Sequence, residues 1–120
     1  MKRGEFGTNP IKTKKPKIKE ILSDVPAEKA FYFYSDIGVY TGRQASSLRK
    51  FYGTLKEVDP RSITFHMQRR DFEEWVNFLG DTTLAMKIAE LGKAQISAEI
   101  LRSKLYDAVK KRCDELEKES

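Results

Sequence analysis

The chain has 120 residues, 39% of them hydrophobic and 34% charged, with a net charge of +5. That is enough for one domain with its own core, and no apolar run nears the ~20 residues that a membrane-spanning helix needs. One cysteine (Cys113) and one histidine (His66) exclude an internal disulfide and an ordinary transition-metal set, so no cofactor is expected and the cytoplasm is the expected compartment.

Residues 1–20 carry seven basic and two acidic groups, which is the whole net charge; the rest of the chain holds 16 of each sign. The first 17 residues show almost no apolar periodicity and cannot bury enough surface to offset the entropy of ordering them. Residues 1–19 therefore read as a flexible basic arm, followed by one compact domain over residues 20–120. Gly4-Glu5-Phe6-Gly7-Thr8 has the look of residues encoded by cloning sites. No hydrophobic segment follows the basic start, so it does not read as a signal peptide.

From Ala30 the chain changes character. Phe31-Tyr32-Phe33-Tyr34 has high strand propensity, Ser35-Asp36 and Gly38 form turns, and Val39-Tyr40-Thr41 is the expected hairpin partner, ended by Gly42. A helix is predicted from Ser47, with Leu48, Phe51, Tyr52, Leu55 and Val58 on one apolar stripe. Asp59-Pro60 restarts the chain as N-cap and first helical residue, and the short helix that follows carries Ile63, His66 and Met67. Asp71 with Glu74 three residues on reads as a capping box, opening a helix with Phe72, Trp75, Val76 and Leu79 inward. Gly80 stops that helix; Asp81 caps the next, which buries Leu84, Ile88 and Leu91 and stops at Gly92. A long helix over 94–118 is expected to bury Ile96, Ile100, Leu101, Leu105, Val109 and Leu116. Arg112 and Glu115 break its heptad pattern, which argues against a coiled coil. The fold class that follows is a helix-dominated α+β domain: a short aromatic strand pair packed by four to five helices, with a long C-terminal helix.

The order Phe31-Tyr32-Phe33-Tyr34, Gly42, Ser47-Leu48, Phe51, Leu55, Asp59, Ser62, Phe65-His66, Asp71-Phe72, Trp75, Asp81 and Leu84-Ala85 resembles a family of small archaeal and bacterial domains of unknown function. The resemblance covers about residues 30–91, and its most specific part is the FH-x4-DF-x2-W run. It implies a fold unit that stands alone or beside other modules, with no catalytic residue to carry over. The chain departs from the family's pattern at Arg49-Lys50, where acidic residues are usual.

The candidate sites each have a bland counterpart. His66, five residues before Asp71, has the spacing of a proton-transfer pair, but no nucleophile stands near it, so a structural histidine is expected. Cys113 follows Lys110, Lys111 and Arg112, which favours a thiolate, yet no base is near it and a surface or edge-of-core thiol is expected. The aromatic run can serve as a base-stacking platform, against a default of core packing. Arg49 and Lys50 lie in a first helical turn, where the dipole disfavours cations by a few tenths of a kcal/mol each. Together with Arg43 they make a cationic helix start suited to an anion.

The first functional reading is a non-enzymatic protein that docks on nucleic acid or a ribonucleoprotein through Lys12, Lys14, Lys15, Lys17, Lys19, Arg43, Arg49 and Lys50. The alternative is a protein–protein adaptor, suggested by the bipolar body. Residues 43–70 carry seven basic and two acidic groups, whereas residues 71–90 carry five acidic groups and one basic. No membrane partner and no catalytic constellation is read from the chain.

Overall fold

The computed structural model describes residues 18–119, and helix makes up 67% of them. The elements are α1 (Ile18–Leu22), a 3-10 turn (Ala27–Lys29), β1 (Phe31–Asp36), β2 (Val39–Ala45), α2 (Leu48–Leu55), α3 (Pro60–Arg69), α4 (Asp71–Leu79), α5 (Thr82–Gly92) and α6 (Ala98–Glu119). This is the expected helix-dominated α+β fold with a long C-terminal helix. Helix α1 takes in Ile18 and Lys19, which the sequence places in the arm; the arm's other residues, Lys12, Lys14, Lys15 and Lys17 among them, lie outside the described residues.

The two strands form an antiparallel hairpin in which Phe31 faces Ala45 and Phe33 faces Arg43. The second strand does not end at Gly42 but runs through it to Ala45, because Gly42 at φ 87° forms part of a register shift instead of a stop. Glycine is suited to such an irregularity because it adopts the left-handed region without a Cβ clash. The shift leaves two backbone groups of β1 to find other partners. The Phe33 carbonyl accepts from Thr41 Oγ1 at 2.7 Å, and the Tyr34 N–H donates to His66 Nε2 at 2.8 Å.

Phe31 and Phe33 point into the core and meet Phe51, Phe72 and Trp75, with ring centroids 4.9–6.1 Å apart. The two phenylalanines of the aromatic run are therefore core and not a stacking platform. Trp75 is also core, and its Nε1–H donates to the Lys29 carbonyl at 2.9 Å. Leu48, Phe51 and Leu55 on α2 and Val58 just after it are buried, Tyr52 of the same expected stripe is only partly so, and Ser47 caps the helix by accepting from Lys50 N–H. Asp59 and Asp81 cap α3 and α5 in the same way, and Gly80 ends α4 at φ 107°.

Three boundaries differ from expectation. Asp71 is the first residue of α4, not its cap; Arg70 at φ 65° holds the junction, and the Asp71 carboxylate turns to His66 instead. Gly92 is the last residue of α5, whose C-cap is the right-handed Lys93. Helix α6 begins at Ala98, where the Ser97 hydroxyl accepts from Ile100 N–H at 3.3 Å. Its buried residues are Leu101, Leu105, Val109, Cys113 and Leu116. That spacing turns Ile100, one residue to the side of the stripe, out to 49% exposure.

Two arginines fasten α6 to the rest of the domain. Arg102 donates to the Leu55 carbonyl at 2.7 Å, satisfying a free acceptor at the end of α2. Arg112 grips the Asp81 carboxylate through Nε at 2.8 Å and a terminal nitrogen at 3.2 Å. The Asp81 side chain is only 1% exposed, so the residue that seemed to interrupt α6 supplies the counter-charge of a buried cap.

Candidate functional site

A groove of about 610 Å³ runs between the hairpin and the α3–α4 corner. Tyr32, Tyr34, Asp36 and Ile37 form one wall; Phe65, Arg69, Asp71 and Glu74 form the other, with Phe31, His66 and Trp75 also lining it. Ile37 at the hairpin tip is 79% exposed, and Val39 and Tyr40 beside it are 51% and 44% exposed. An exposed apolar side chain such as Ile37 on the rim of a concave, aromatic-lined surface is a usual mark of a contact surface. Tyr32 and Tyr34, the outward members of the aromatic run, are half-buried, and each lies near Tyr40, at 5.9 and 5.5 Å between centroids.

His66 is the hinge of this corner. Its Nδ1 lies 2.8 Å from Asp71 Oδ2, while Nε2 accepts from the Tyr34 N–H, so the neutral ring donates from Nδ1 and both nitrogens are occupied. An imidazole whose lone pair is held by a backbone N–H is not placed to take a proton from a substrate. Burial pushes its pKa below the usual 6.5, outweighing the opposing pull of Asp71. The unfolded chain binds the proton more readily, so the stabilisation from neutral His66 is complete above about pH 6.5 and is lost as pH falls below it. Melting temperature should therefore fall between pH 7.5 and 5.5. Replacing His66 by glutamine should cost about 1 kcal/mol at neutral pH and flatten that part of the pH profile, as read by thermal melts.

Cys113 is fully buried, contrary to a surface or edge position, because the fourth turn of the α6 stripe lands on it. Burial raises its thiol pKa to about 11, so the neighbouring basic run does not create a reactive thiolate. A disulfide reagent such as Ellman's should label the unfolded protein within minutes at pH 8 and leave the native protein untouched on that timescale.

The three cations proposed as a helix-start cluster each meet a carboxylate. Arg43 pairs with Glu57 at 2.7 Å, Arg49 with Glu117 at 2.7 Å, and Lys50 with Asp24 at 3.4 Å. Arg49 and Lys50 share the first turn of α2, whereas Arg43 on β2 reaches toward the segment after that helix. These exposed pairs are weak, so an anion can compete for the cations, but the local field is far from that of three bare charges. The carboxylates also offset the dipole penalty that the sequence alone suggests at Arg49 and Lys50.

The groove is not legible in the sequence, because its walls come from residues about 30 positions apart. Among the described residues, no group of three or more His, Cys, Asp and Glu side chains is placed to hold a metal ion, and no helix is long and apolar enough to cross a membrane.

The fold and the groove define a small helix-dominated α+β domain with a two-stranded hairpin packed on an α-helical corner. The chain belongs to the family of unknown function DUF5752, whose model matches residues 11–110. The family region therefore extends well beyond the 30–91 core of the resemblance and takes in more than half of α6. Comparison with curated proteins and with solved structures gives no match.

Proposed function

We propose that this protein is a non-enzymatic binding module that docks a partner protein in the groove between the hairpin and the α3–α4 corner. The observation that carries the reading is the exposed Ile37 on the rim of a concave, aromatic-lined surface, with the half-exposed Tyr40 packed beside its tyrosines. Residues that must face water at such a rim lose the cost of exposure when a partner covers them. The side chains with intrinsic chemistry, His66 and Cys113, are both committed to internal structure, which supports binding over catalysis.

A second reading rests on a different observation, the concentration of the entire +5 charge in residues 1–20. On it, Lys12, Lys14, Lys15, Lys17, Lys19, Arg43, Arg49 and Lys50 meet phosphates of a nucleic acid or ribonucleoprotein. Binding should then weaken steeply as salt rises, and deletion of residues 1–17 should flatten that slope.

One experiment separates the two. Affinity purification from native cells is run with and without nuclease, using the wild type beside Ile37→Asp and Tyr40→Ser. A protein partner that survives nuclease and is lost with the two rim variants supports groove docking. A partner that survives both variants and disappears with nuclease supports the nucleic-acid reading.

A further inference from the structure

The groove is not a neutral apolar surface. Its lining holds three carboxylates, Asp36, Asp71 and Glu74, against one guanidinium, Arg69. Arg69 is already bound on two sides, with Nε 3.1 Å from Asp71 and its guanidinium 5.1 Å from the centroid of Phe65. Asp71 Oδ2 accepts from both Arg69 and the neutral His66, and Arg69 offsets its charge. The other two carboxylates differ. Among the described residues, Asp36 accepts only from the N–H of Ile37, its neighbour in the turn. Glu74 is exposed, and no hydrogen bond or ion pair to its carboxylate is found among the described residues; Arg70, which feels its field, is itself paired with Glu73 at 2.9 Å.

Resting on the groove-docking reading above, we infer that the groove takes a lysine or arginine side chain from an extended segment of the partner protein. Carboxylates on the two opposite walls, Asp36 from the hairpin and Glu74 from α4, flank a space lined by the rings of Tyr34 and Phe65. A cation entering it gains charge attraction from both walls and from the Tyr34 ring, Phe65 already carrying Arg69, while its aliphatic stem covers apolar surface. Arg69 over Phe65 is an internal instance of the same contact. The same charge balance repels phosphates, so the half-exposed tyrosines here do not suit a nucleic-acid backbone. The apolar rim at Ile37 and Tyr40 would take hydrophobic neighbours of the basic residue.

The test uses the full chain, labelled with ¹⁵N, and two probes: acetyl-Leu-Lys-Leu-amide and its uncharged counterpart with norleucine in place of lysine. The lysine peptide should shift the Trp75 indole and Tyr34 amide resonances with millimolar affinity, and about tenfold more tightly than the norleucine peptide. Asp36→Asn keeps the turn acceptor and Glu74→Gln keeps the side-chain shape. Each should reduce the preference for lysine about threefold while leaving the melting temperature unchanged. Equal binding of the two peptides would overturn the cation assignment and leave an apolar docking groove intact. Absence of shifts with either peptide would overturn both this inference and the groove reading. Shifts of the same resonances by a thymidine oligonucleotide would overturn the assignment in favour of nucleic acid.

Discussion

Replacing Arg112 by methionine should destabilise the protein by about 3–5 kcal/mol, because it strands a buried carboxylate without its counter-charge. Asp81 is 1% exposed, caps α5 through the Leu84 N–H at 3.1 Å, and relies on Arg112 for the two remaining short contacts. Small domains are stable by about 5–15 kcal/mol in all, so this change alone brings the variant close to unfolding. Asp81→Asn in the same chain should recover much of the loss. Asparagine still caps a helix well, and it removes the charge that methionine cannot answer. Urea denaturation of the two single variants and the double variant measures the effect and the coupling. A loss below about 1 kcal/mol for Arg112→Met would mean that the pair behaves like an ordinary surface ion pair.

Phe51→Ala should cost about 3–5 kcal/mol, the range for emptying a buried aromatic site. Phe51 is fully buried, and its ring lies within 5.2–5.6 Å of four others, Phe31, Phe33, Phe72 and Trp75, so one deletion loosens the hairpin, α2 and α4 together. Phe51→Leu keeps much of the volume and should cost less than half as much. The readout is again the denaturation midpoint, with near-ultraviolet circular dichroism following the order of the aromatic cluster. An alanine variant as stable as the leucine one would show that the site collapses freely and that the cluster is not the centre of the core.

Features written over three or four residues were legible in the sequence. Asp59 and Asp81 cap the helices assigned to them, the helix expected from Ser47 starts there with Ser47 as its cap, Gly80 stops α4, and the Leu48–Val58 stripe is buried as its spacing predicts except at Tyr52, which is only partly covered. Features that depend on pairs distant in sequence were not. The D-x-x-E pattern at Asp71 is locally a capping box. Histidine 66, five residues away, claims the carboxylate because the hairpin's register shift hands His66 the Tyr34 N–H, 32 residues upstream. The one local trace of that shift was a glycine inside a strand, Gly42, which in isolation reads equally well as a stop. Arg112 interrupts an apolar pattern and was legible only as a defect, since its partner lies 31 residues away. The carboxylate partners of Arg43, Arg49 and Lys50 were hidden for the same reason, and they change the meaning of that cationic group most.

The bipolar charge pattern also takes on a physical sense in three dimensions. Acidic Asp71 and Glu74 at the start of α4 face the hairpin across the groove, and the basic residues of 43–50 lie at a separate place, around α2. A basic partner segment and an anionic partner would thus be directed to different parts of one small domain.

Whether a partner protein occupies the groove can be read by photocrosslinking from within it. Benzoylphenylalanine is placed at Ile37 on the hairpin tip or, for comparison, at Lys118 near the end of α6, and each protein is irradiated in nuclease-treated native extract. Docking in the groove should give a discrete protein adduct from position 37, absent from position 118 and suppressed by excess acetyl-Leu-Lys-Leu-amide. No adduct at 37, or the same adduct from both positions, would contradict it.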